Sequence, residues 1–127
     1  MFRFFNPNPC RKRRGDCSVR AVSLALGVSW EDAYWMMAIQ GAIMCDMPSG
    51  NDVWGEVLIK HGYVKRPVGG IVTAGEFADD HPSGRYVLGM EGHVAAVIDG
   101  VLYDIWDSGD EIVTDIWEDV GGERYAV

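Results

Sequence analysis

Apolar positions recur with a helical period up to about residue 82 and alternate as in strands after it. In Cys17–Leu26, the run CSVRAVSLAL puts Val19, Val22 and Leu26 on one helical face, with Ala21 and Ala25 beside it. Asp16 is the expected N-cap and Gly27 the C-terminal glycine. Small and apolar residues nearly all round predict a buried central helix. In a second helix, Ser29 and Asp32 resemble a capping box. Trp30, Ala33, Tyr34, Met37 and Ala38 follow at helical spacing as an expected core stripe, and Gly41 is expected to end it. Cys45 to Gly50 reads as a loop. Asn51 is the expected cap of a third helix carrying Val53, Trp54, Val57 and Leu58, stopped at His61-Gly62. Thr73 and Glu76 make another capping box, opening a short helix that ends before Pro82.

The last third is β. Strands are predicted over Arg85 to Met90, His93 to Ile98, Val101 to Trp106 and Ile112 to Trp117. Asp99-Gly100 between the second and third is the strongest short hairpin signal in the chain. Helices followed by antiparallel strands define an α+β class, with the helices packed on a C-terminal antiparallel sheet. At 127 residues, 48% hydrophobic and 24% charged, the chain is expected to form one globular domain over 1–127. Its parts are a Pro-rich and basic segment (1–14), a helical part (15–82) and a β part (83–127). Asn6-Pro7-Asn8-Pro9 in the first part reads as extended or turn structure, because proline restricts the residue before it.

Charge narrows the partners. The net charge of −8 argues against nonspecific binding to nucleic acid or anionic membranes. The distribution is uneven: the basic run Arg11-Lys12-Arg13-Arg14 contrasts with nine acidic residues from Asp99 onward, opposed only by Arg124. The run is expected to be a solvated loop. No apolar run approaches the ~20 residues of a membrane span, and the start lacks the apolar core of a secretory signal. Three cysteines, Cys10, Cys17 and Cys45, point to free thiols in a reducing cytoplasm. Their spacing and that of His61, His81 and His93 match no metal motif, so neither metal nor cofactor is expected.

Cys17 is the position richest in chemistry. A cysteine in the first turn of a helix meets the positive end of the helix dipole, which favours the nucleophilic thiolate. Asp16 opposes this with its own charge, and Arg20, four residues on, is expected to pair with Asp16. His93, opening a strand after Glu91-Gly92, is the candidate general base. With Asp99 and Gly100 as the two turn residues, Val97 pairs with Leu102 and Ala95 faces Asp104. Asp104 then becomes a same-face diagonal neighbour of His93, suited to orient the imidazole. A bulge at the turn would bring Asp107 round instead.

The layout resembles the compact papain-like cysteine peptidase fold, in which the nucleophile opens a central helix and the histidine and its orienter lie on the sheet. More closely, the chain resembles small papain-like peptidases encoded by bacteriophages and prophages of gut bacteria. Asn6-Pro7-Asn8-Pro9, Gly15-Asp16-Cys17 with Arg20-Ala21, Asp46-Met47-Pro48-Ser49 with Val53-Trp54-Gly55, Gly92-His93, and Asp99-Gly100 with Tyr103-Asp104 and Trp106-Asp107-Ser108 carry it, over residues 6–117. The resemblance implies Cys17 as nucleophile, His93 as base and Asp104 as orienter, acting through a thioester on a peptide or protein substrate such as a bacterial host protein, in the host cytoplasm. One departure stands out. Papain-like enzymes place a glutamine before the nucleophile to line the oxyanion hole, and here that stretch is basic. Asn8, or Asn6, would have to supply the amide. Two alternatives follow: an inactive protein of the same fold that binds a host factor or serves in the virion, and an acyltransferase resembling transglutaminases.

Overall fold

A computed structural model describes residues 1–13 and 15–121. Arg14 of the basic run and residues 122–127 at the end of the expected β part lie outside the described residues. The elements run β1 (Phe2–Phe4), α1 (Cys17–Leu26), α2 (Trp30–Met44), α3 (Asn51–Lys60), β2 (Tyr63–Arg66), α4 (Ala74–Asp80), β3 (Arg85–Met90), β4 (His93–Ile98), β5 (Val101–Asp104) and β6 (Val113–Asp119). This is the expected α+β class. No described helix is long and apolar enough to cross a membrane.

Four strands stand near where alternation placed them, although β5 stops at Asp104 instead of Trp106 and β6 runs Val113–Asp119 instead of Ile112 to Trp117. The β4–β5 hairpin has the expected register, with Val97 opposite Leu102 and Ile98 opposite Val101. The Asp99-Gly100 turn has φ of 50° and 80°, the positive pair that a two-residue type I′ turn requires. The sheet is larger than expected and not purely antiparallel. Its six strands run β1-β5-β4-β3-β6-β2. β1, inside the Pro-rich segment, pairs parallel with β5, and β2 follows α3 to cover β6. Both are short edge strands, three and four residues long, too brief to show a period.

Alternation along β3, β4 and β6 divides the core in two. Val87, Val94 and Trp117 pack under α1, α2 and α3 with Val22, Met37, Trp54 and Leu58. Leu88, Ala95, Val97 and Ile116 point the other way, against Phe77 and Ala78 of α4. The helices therefore cover both sheet faces.

Three local expectations are corrected. Gly41 does not end α2, which runs to Met44 and closes on a left-handed Cys45. A Cβ on Gly41 would lie 2.8 Å from the Asp46 carbonyl, so glycine serves close approach of the following loop. α3 is capped by Gly50, with Asn51 its first residue. Asp16 precedes α1 but makes no capping hydrogen bond. The Thr73–Glu76 capping box forms in full. Of the α2 stripe, Ala33 and Met37 are buried, whereas Tyr34 is exposed.

Leu102 is fully buried two residues before the end of β5. Leu102→Ala is expected to lower unfolding free energy by about 2–5 kcal/mol, measured by urea denaturation.

Candidate active site

The first residue of α1, the first of β4 and the last of β5 meet at one end of the sheet. β4 and β5 are antiparallel, so the start of one and the end of the other coincide. His93 Nε2 lies 2.6 Å from Asp104 Oδ2. That bond occupies one ring nitrogen, and the imidazole also acts on the Cys17 thiol, so Nδ1 is the nitrogen left for the sulfur. Cys17, His93 and Asp104 thus converge, with the imidazole between the thiol and the carboxylate. Asp107 stays apart, its carboxylate accepting the Gly109 N–H at 3.0 Å in an exposed loop.

Asp104 is only 3% exposed. Oδ2 also accepts the Ser108 hydroxyl at 2.6 Å, and Oδ1 accepts the Ile105 N–H at 2.8 Å. Ser108 is itself fully buried. A serine four residues past an aspartate carries no sequence signal, because it needs the chain after β5 to turn back. Trp106 lies beside the imidazole, ring centroids 5.0 Å apart, and shelters one side of the pair.

Burial pushes the Cys17 thiol up. The hydrogen bond and charge of His93 act in the other direction, joined by the Val94 N–H and the Arg20 guanidinium, and leave the thiol below its ordinary range. Burial likewise pushes His93 down, but its hydrogen bonds to Asp104 and Cys17, and their charges, raise it to about 9. The two shifts both run in the direction of a thiolate–imidazolium pair.

The pair opens on a cavity of about 360 Å³, lined among others by Arg13, Ser18, Ser49, Asn51, Trp54 and Trp106. Its floor includes Gly89, where β3 shifts register against β6. A Cβ there would lie 2.9 Å from Asp115 Oδ2, so only glycine leaves that carboxylate its place.

The expected oxyanion donor is not on this wall. The Asn-Pro-Asn-Pro segment does fold over the helix start and Asn8 is buried, but its Nδ2 donates to Asp16 at 3.1 Å. The Asn6 amide donates to the Lys12 carbonyl at 3.1 Å. Gln40, the chain's single glutamine, accepts from Lys60 on α3 at 2.6 Å. The one side-chain amide lining the cavity is Asn51. Its Oδ1 accepts the Trp54 indole N–H at 3.1 Å, which turns its NH₂ group elsewhere. The sequence reading took Asn51 for a helix cap, and only the tertiary meeting of α1 and α3 brings it here.

No cluster of three or more metal-ligating side chains occurs among the described residues. Compared with protein-family models, curated proteins and solved structures, the chain gives no match.

Cys10 and Cys45 are exposed and Cys17 is half-buried. An ordinary thiol is only a few per cent ionised at pH 7. Iodoacetamide at pH 7 is therefore expected to alkylate Cys17 about tenfold faster than the other two, read by peptide mass spectrometry. The rate should fall as pH drops through the depressed thiol pKa, and His93→Ala should abolish the preference.

Proposed function

We propose that this protein is a cysteine hydrolase of papain-like architecture that cleaves peptide or isopeptide bonds. The observation that carries the reading is the convergence of Cys17 and of a His93 hydrogen-bonded to Asp104 on one open cavity. A nucleophile, a base and its orienter in mutual contact are what acyl transfer through a thioester requires.

In this mechanism the Cys17 thiolate attacks the acyl carbonyl and forms a C–S bond. The oxyanion that develops lies at the start of α1, where first-turn N–H groups have no intrahelical acceptor and Asp16 does not cap them. Asn51 adds the side-chain amide from the facing wall. His93 gives its Nδ1 proton to the leaving amine as the C–N bond breaks. Water then loses a proton to Nδ1 and attacks the thioester. The C–S bond breaks, the acid leaves, and the thiolate–imidazolium pair is restored. Asp104 keeps Nε2 protonated throughout and so fixes which nitrogen does the work.

The proposed relatives are the small phage-encoded peptidases, and the proposed setting is a bacterial host cytoplasm with a peptide or host protein as substrate. A second reading, a binding protein of the same fold, is supported by the apolar outer face of α2, where Trp35, Ile39 and Ile43 are exposed at i, i+4 and i+8.

An acyl-directed electrophilic probe, with labelling read by mass spectrometry, tests the proposal. Labelling of Cys17 alone, lost in His93→Ala, is the expected result. An unlabelled Cys17 in folded protein would favour the binding protein, and a product carrying an added amine would mark a transferase. With a turned-over peptide, kcat/KM should follow a bell in pH. Its acid limb comes from thiolate protonation and its alkaline limb, near pH 9, from loss of the imidazolium proton. Asn51→Ala is expected to lower kcat by about 10²–10³ with little change in KM.

A further inference from the structure

Arg20 is 6% exposed, on the second turn of α1, inside the network that holds the site. It ion-pairs with Asp16, and its second guanidinium nitrogen lies 3.9 Å from Asp104 Oδ1. A helix-surface pair four residues apart contributes a few tenths of a kcal/mol. A guanidinium taken out of water is a different matter, because its desolvation must be offset by more than one acceptor. Asp16 is already held by the Asn8 amide at 3.1 Å and the Trp30 indole at 3.0 Å. Both of those donors sit on Oδ2, and Arg20 serves Oδ1. Asp104 has no other cation on its Oδ1 side among the described residues.

We propose that Arg20 is a positioning residue that ties α1 to β5 by bridging Asp16 and Asp104, and so holds the His93 imidazole in register with the Cys17 sulfur. The inference rests on the hydrolase reading and deepens it. The charges alternate around a closed circuit: Cys17 thiolate, His93 imidazolium, Asp104, Arg20, then Asp16, which the backbone joins back to Cys17. Arg20 thereby also offsets the one buried carboxylate next to the nucleophile. The other charged groups on the cavity, Arg13 and Asp115, lie at its lining, and Asp115 is paired with Lys65 at 3.1 Å.

The test compares wild type, Arg20→Met, and Arg20→Met combined with Asp16→Asn. The double variant removes both charges, so it folds even where the single one leaves Asp16 unpaired. Two readouts are taken: the pH profile of Cys17 alkylation, and the downfield Nε2–H proton of His93 by NMR, which a short bond to Asp104 produces whether or not the thiol is reactive. If Arg20 positions Asp104, the double variant regains thermal stability, yet its Nε2–H signal broadens and Cys17 loses its roughly tenfold alkylation preference at pH 7. Arg20→Lys, which keeps the charge but cannot bridge both carboxylates, should not restore either readout. A double variant with wild-type NMR signal overturns the proposal. Equal alkylation of all three cysteines in wild type would instead overturn the hydrolase reading, and the NMR comparison still decides the role of Arg20.

Discussion

A carboxylate withdrawn from water at the end of β5 must find donors for both of its oxygens, since an unpaired buried charge costs several kcal/mol. Asp104 finds them in three places, the imidazole of β4 and the Ser108 hydroxyl and Ile105 N–H just beyond its own strand, with the Arg20 guanidinium of α1 a counter-charge 3.9 Å away. Satisfying one side chain therefore fixes three segments at once. The imidazole has a single orientation left, with Nε2 on the carboxylate and Nδ1 turned to the helix start. The bond that orients the ring also raises its pKa, and the ring in turn lowers that of the thiol. Geometry and protonation have the same cause.

Such a network is a poor way to stabilise a fold. Apolar side chains of the same volume would pack at this end of the sheet with less desolvation. The rest of the interior follows the apolar solution, with valine, leucine and alanine on both faces of β3 and β4. Among the described residues the buried charged side chains, Asp16, Arg20 and Asp104, gather at the end of the sheet where α1, β4 and β5 converge, and the cavity opens at that end. A concentration of buried charge beside a half-buried free thiol is an arrangement that packing alone does not call for.

What could be read from the residues was whatever depended on local period and turn chemistry. Asp99-Gly100 defines its own register, and that register alone puts Asp104 diagonal to His93; one turn dipeptide thus locates two members of the site. Cys17 was legible through the helix start at Gly15-Asp16. The misses all needed tertiary knowledge. Asn8 folds over the helix start as hoped, but Asp16 takes its amide, a competition that no spacing reveals. Gly41 looks like a terminator because glycine disfavours helix, and the nearby loop overrides that preference. Arg20 looks like half of a surface pair until β5 is laid beside its helix. Three-residue β1 carries no period at all, and its partner strand lies about a hundred residues away.

The overall charge of −8 misrepresents the site. Within the reach of the sulfur the balance is set by an imidazolium, a guanidinium and a helix N-terminus, against one carboxylate that is already paired. The acidic residues are mostly at the exposed surface, where water and salt screen them over roughly 10 Å. Around the half-buried sulfur the screening is weaker and the nearest groups dominate. A chain that is anionic as a whole can therefore lower a thiol pKa at one point, provided that the cations nearest to it are buried with it. Arg20 and His93 meet that condition, one almost wholly out of water and the other sheltered by Trp106.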